Sequence, residues 1–157
     1  MLKEISCAID FLTNYLRSFS ASPPSAAQLD LFQHHLHQLL LCKYKGHWDL
    51  ELPTKGNAFR ALSIFQNGRA SLPIKQACLE AGIDMDSVFQ REMIVWIDPY
   101  LVAYKIEGKT QVNTIYFDPM NIHLHKVAYA GNSSSVGSSN CSTPYLSKAS
   151  PVLIVNS

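Results

Sequence analysis

Apolar residues recur at Ile5, Ala8, Ile9, Leu12, Leu16 and Phe19, in steps of three and four. That spacing puts them on one face of a helix covering about residues 2 to 18. The stretch "SFSASPPS" ends it, because Pro23 and Pro24 cannot continue a helix. Ser25 followed by Gln28 matches a capping box, so a second helix is expected to start there. Its apolar face is Leu29, Phe32, Leu36, Leu39 and Leu40. Two such helices joined by a short loop are expected to pack as an antiparallel pair.

After Tyr44 the texture changes. "GHWDLELPTKGN" is rich in turn residues and aromatics, and "AFRALSIF" then reads as a strand. Strand alternation puts Leu62 and Ile64 on one face and Phe59, Ala61 and Ser63 on the other. "SLPIKQACLEAGI" is a short helix with Ile74, Ala77, Cys78 and Ala81 on its apolar side, stopped by Gly82. Asp84 is placed to cap one more helical turn reaching Gln90. Three strands are expected at 93–97, 101–106 and 112–117, the last two joined by the hairpin turn "EGKT". The expected fold is α+β: two long N-terminal helices packed on a small antiparallel sheet, with short intervening helices. The domain should cover residues 1–118. Residues 119–157 include "AGNSSSVGSSNCSTP", which lacks the apolar surface to order itself. A flexible tail is expected there, ending in the apolar patch "PVLIVNS".

Composition narrows the function classes. A chain of 157 residues holds one domain with a sizeable core, and 47% hydrophobic content fits a soluble globular protein. A net charge of +1 gives no reason to expect direct nucleic-acid binding. Cys7, Cys42, Cys78 and Cys141 form no CxxC pair, which favours reduced thiols in an intracellular protein over a zinc site or disulfide framework. The start "MLKEISCAIDF" is broken by Lys3, Glu4 and Asp10, unlike a signal peptide. No apolar run approaches the roughly 20 residues that span a bilayer, so no membrane partner is expected.

The stretch "MIVWIDPYLVAYKIEG" puts an acid and a proline between two good strands. Val95 and Ile97 share one face; Ile94, Trp96 and Asp98 share the other. An ionised carboxylate is rarely buried unpaired, so the Asp98 end of that face is expected to be wet. Pro99 removes a ladder donor and ends the strand. Trp96 then sits at a sheet margin beside an acid, and Phe59 falls on the more polar face of its own strand. Two aromatics on faces turned from the core make a candidate protein-docking surface; the alternative from pattern alone is that Trp96 and Phe59 cover the sheet under the helices.

"HWDLELPTKGNAFR" and "MIVWIDPYLVAYKI" resemble, in order and at matching separation, the two signature boxes of the BTG/Tob antiproliferative family. The resemblance covers about residues 1 to 118. Overall length and the terminus "LSKASPVLIVNS" look more like the short BTG branch than the long Tob branch. The resemblance implies a non-catalytic adaptor that binds a Caf-type deadenylase subunit of the Ccr–Not complex. Such an adaptor promotes mRNA deadenylation, restrains proliferation and works in cytoplasm and nucleus. It implies partner contacts by Phe59, Trp96, Asp98 and Tyr100. It also implies tail contacts with poly(A)-binding protein or a protein arginine methyltransferase. A transcriptional cofactor acting through other protein contacts is the alternative. Phe59 stands where short-branch relatives have Tyr, Asn57-Ala58 replaces Ser-Gly, Gln90-Arg91 replaces Pro-Ser, and Leu101 replaces an acid. These departures bear on affinity more than on fold.

Rival chemistries have less support. His34, His35 and His37 lie on the second helix with His47 beyond, but no Glu or Cys joins them at a ligand spacing, so a solvated helix face is the better reading. His123 and His125 read the same way. No G-x-S-x-G, P-loop or dinucleotide glycine pattern occurs. Asp84, Asp86, Glu92 and Asp98 are better explained by capping, surface placement and docking than as a nuclease set. No catalytic residue, metal or cofactor is therefore expected. "LHQLL" matches an LxxLL groove-binding motif, yet the second helix needs Leu36, Leu39 and Leu40 for its core.

Overall fold

The computed structural model describes residues 1–65 and 69–125. The expected tail beyond residue 125, with its terminal apolar patch, lies outside the described residues. Residues 119–125, where that tail was expected to begin, are described and include a turn of 3-10 helix, Ile122–His125.

Helix α1 is Leu2–Phe19 and α2 is Ala26–Tyr44. Both long helices occur where the apolar spacing put them. At the start of α2 the Gln28 N–H donates to Ser25 Oγ at 3.3 Å, and the Ser25 N–H donates to Gln28 Oε1 at 3.1 Å. Two N–H groups that the helix leaves without partners are thereby satisfied. The Gln28 amide also donates to the Gly82 carbonyl at 2.7 Å, tying this cap to a distant loop. Ser25→Ala is expected to cost about 1 kcal/mol, read as a lower urea midpoint for the full chain.

Residues Asn57–Arg60 form a helical turn, α3. This corrects the expectation of a strand over residues 58–65. Gly56 precedes the turn at φ 76°, a conformation glycine adopts without steric cost. A Cβ there would lie 3.3 Å from Arg60 Nη1. The strand proper, β1, is only Leu62–Ile64. Helices α4, Leu72–Glu80, and α5, Met85–Val88, follow, and Asp84 Oδ1 accepts the Asp86 N–H. Strands β2, Met93–Asp98, β3, Leu101–Ile106, and β4, Asn113–Phe117, complete a four-stranded sheet in the order β1-β2-β3-β4, every pair antiparallel. The β3–β4 register slips between Val102 and Ala103.

The core lies between the long helices and one face of this sheet. Ile5, Ala8, Leu12 and Leu16 of α1 and Phe32, Leu36 and Leu40 of α2 are fully buried, as are Val95, Ile97 and Val102. Each large aliphatic or aromatic side chain removed from water this way contributes about 1.5–3 kcal/mol. Phe11 of α1 meets Tyr104 at 4.4 Å between ring centroids. Tyr104 is the β3 partner of Val95, so α1 covers the Val95 face. Of the LxxLL leucines, Leu36 and Leu40 are core; Leu39 is only half-buried and lines a surface groove.

Candidate protein-docking surface

Pairing across the sheet settles which residues share the face turned away from α1. Asp98 stands opposite Leu101, Trp96 opposite Ala103 and Ile94 opposite Lys105. Ser63 of β1 stands opposite Ile94. Trp96 and Ile94 are half-exposed, while Val95 and Ile97 between them are fully buried. Strand alternation alone had assigned these two faces. It did not foresee what happens at the Asp98 end.

That end is not wet. Asp98 and Arg60 are both 0% exposed, and Asp98 Oδ1 accepts from Arg60 Nη2 at 2.6 Å and from Nε at 3.0 Å. The expectation that Asp98 faces water was wrong because it treated the carboxylate as unpaired. An acid excluded from water needs a cation with satisfied hydrogen bonds, and Arg60 arrives from α3 to supply one. The remaining guanidinium donors are also used. Nη1 donates to the His47 and Lys55 carbonyls at 2.9 and 2.8 Å, Nη2 also to Pro53 O at 2.6 Å, and Nε also to Ile97 O at 3.1 Å. Arginine's planar fork of five N–H groups suits this cage; a lysine could not fill it.

The rest of the first box wraps the same charge. The Trp48 ring lies 5.6 Å from Arg60 Cζ and stacks on Tyr44. The Tyr44 hydroxyl donates to the Arg60 carbonyl at 2.6 Å, and burial pushes its pKa well above the usual phenol range. His47, Trp48, Pro53, Lys55, Gly56 and Arg60 therefore act together as a closed loop over the end of β2, mostly through main-chain carbonyls. Periodicity gives no sign of this loop. The clue available in the sequence was the lone acid among apolar strand residues, which requires a cation from elsewhere in the chain.

The turn after Asp98 is equally constrained. Pro99 and Tyr100 alone connect Asp98 to its partner Leu101. Tyr100 has φ 70°, the one positive φ outside glycine among the described residues. Proline followed by a positive φ is the pattern of a type II turn. The Tyr100 N–H donates to Glu4 Oε1 at 3.0 Å, and its carbonyl accepts the Asp118 N–H at 2.8 Å. The start of α1 and the end of β4 thus hold a turn that a non-glycine residue disfavours. Glu4 is itself only 6% exposed.

The four candidate partner-contact residues therefore differ in position. Trp96 and Tyr100 are half-exposed on β2 and its turn. Phe59 is 44% exposed on α3, its ring 4.4 Å from that of His47 and 5.1 Å from Lys43 Nζ. Asp98 is interior and can affect a partner only by holding Arg60 and the loop. Among the described residues no group of three His, Cys, Asp or Glu side chains could hold a metal ion, and no helix is long and apolar enough to cross a membrane. Cys7, Cys42 and Cys78 are free thiols.

An α+β domain with an aromatic surface beside a loop-caged ion pair is the class of molecule these residues define. The sequence profile of the BTG family matches residues 1–122, and the chain belongs to that family. It is 36% identical to human protein Tob1 over 124 residues, 77% of this chain and 34% of Tob1. It is 33% identical to chicken protein BTG1 over 119 residues, 74% of this chain and 68% of BTG1. The chain thus spans about a third of the length of the Tob1 relatives it matches. The two identities lie too close to separate the branches. Among solved structures, a substituted form of the C. elegans FOG-3 BTG/Tob domain superposes with a TM-score of 0.65 at 20% identity, covering 78% of this chain and 95% of that one, which is a likeness of fold.

Proposed function

We propose that the chain is a non-catalytic adaptor that binds a Caf-type deadenylase subunit of the Ccr–Not complex and so promotes mRNA deadenylation and restrains proliferation. The observation that supports this best is the half-exposed Trp96, on the sheet face away from the long helices, with exposed Phe59 on the neighbouring α3 turn. Aromatic side chains of this kind are enriched among residues that dominate binding energy. Work in both cytoplasm and nucleus belongs to the same proposal, as do tail contacts with poly(A)-binding protein or a protein arginine methyltransferase.

A pull-down of the Caf-type subunit by the purified chain tests the reading. Capture supports the adaptor. A folded chain that captures nothing leaves the transcriptional-cofactor reading instead. The purified chain alone is also expected to leave a labelled oligo(A) intact, because phosphoryl transfer needs groups that stabilise charge at the reacting phosphate. Shortening that co-purifies with the chain, and is lost on point substitution within it, would sink the adaptor reading.

A further inference from the structure

A groove of about 590 Å3 opens between α2 and α4. Leu39 and Lys43 of α2 form one wall, Leu72 of α4 the other, and Phe59 stands at its end. Leu72 is 72% exposed although it carries no charge to keep it there. Ala61 and Ser63 also line the groove, and Ser63 shares the sheet face of Ile94 and Trp96. The groove is therefore continuous with the face carrying Trp96.

Lys43 is out of place in such surroundings. It is half-buried, and burial pushes its pKa down. Its ammonium lies over two rings, 5.1 Å from Phe59 and 5.9 Å from Tyr44. Among the described residues the ion pairs engage the Met1 amine, Lys55 and Arg60, and none includes Lys43. The last acidic residue of the sequence is Asp118, and residues 66–68 are Gln-Asn-Gly, so no side-chain carboxylate lies outside the described residues. Among the described residues no acid pairs with this cation.

We infer that the docking face continues into this groove, and that the partner lays there a segment with an apolar side chain between Phe59 and Leu72 and a carboxylate paired with Lys43. The inference rests on the adaptor reading and specifies the chemistry of the partner: an acidic-apolar segment of the Caf-type subunit. Such a pair supplies both register and long-range attraction, since a partly desolvated cation gains more from an acid than a solvated one does.

The test is titration of the purified Caf-type subunit with the full chain and its Lys43→Met, Lys43→Glu, Lys43→Arg and Trp96→Ala variants, at low and high salt. Thermal unfolding of each variant checks the fold. Lys43→Met is expected to weaken binding about tenfold at low salt, with a shallower salt dependence. Lys43→Glu should weaken it further, and Lys43→Arg should restore most of it. If both Lys43→Met and Lys43→Glu bind as the parent does while Trp96→Ala is weak, the groove inference fails and the docking face stands. If the parent chain itself does not bind, the adaptor reading fails and the groove with it. Self-association of the chain that Lys43→Glu abolishes would assign the groove to a second copy and overturn the inference.

Discussion

Asp98→Ala should unfold the domain rather than weaken one contact. The substitution leaves the Arg60 guanidinium fully buried with its counter-charge gone. Breaking a buried pair from one side costs about 3–5 kcal/mol, because the remaining charge is uncompensated. Against a total stability of about 5–15 kcal/mol, that is enough to populate the unfolded state near physiological temperature. Arg60→Lys should also be costly, about 2 kcal/mol or more, because an ammonium reaches fewer of the four carbonyls that the fork now satisfies. Urea unfolding of both variants is the measurement. A change under 1 kcal/mol in Asp98→Ala would mean that the cage is not structural. The first and second boxes are joined at this pair, so deadenylase binding lost through Asp98 would reflect the fold and not a contact.

Trp96→Ala should do the opposite. Losing a surface aromatic anchor is expected to cost about 2 kcal/mol or more of binding, roughly thirty-fold in affinity, with little change in melting temperature. Phe59→Ala should act likewise, since its ring rests on His47 and Lys43 and not in the core. If both rings meet one partner surface, the two losses should be non-additive. Val95→Ala is the contrast: the side chain is fully buried on the sheet face that α1 covers, and truncation should lower stability by about 1–3 kcal/mol. An unfolded Trp96→Ala would make the tryptophan part of the core.

The long helices were legible because both faces of the argument, period and capping, are local. The same holds for β2, where alternation assigned Val95, Ile97 and Trp96 to their faces. The α3 turn was not legible. "AFRALSIF" alternates well enough to pass as a strand, whereas Gly56 at a positive φ and the hydrogen bonds that Arg60 donates to the His47, Pro53 and Ile97 carbonyls accompany a helical turn over its first three residues. Asp98 was misplaced for a related reason. Its partner sits 38 residues earlier, so no local pattern couples them. Lys43 gives no signal in the sequence, because a lysine at the end of an amphipathic helix reads as solvated; its place over the Phe59 ring emerges only when α3 and α4 come together beside α2.

The central claim is a division of labour within the signature boxes: Arg60 and Asp98 hold the fold together, and Trp96 and Phe59 are the proposed docking residues. Paired measurements on the same preparations of Trp96→Ala test it most directly, a titration with the Caf-type deadenylase subunit and a urea unfolding curve. The account predicts affinity lower by about thirty-fold with an unfolding midpoint close to that of the parent chain. Full affinity in a folded Trp96→Ala, or a midpoint as low as that of Asp98→Ala, would contradict it.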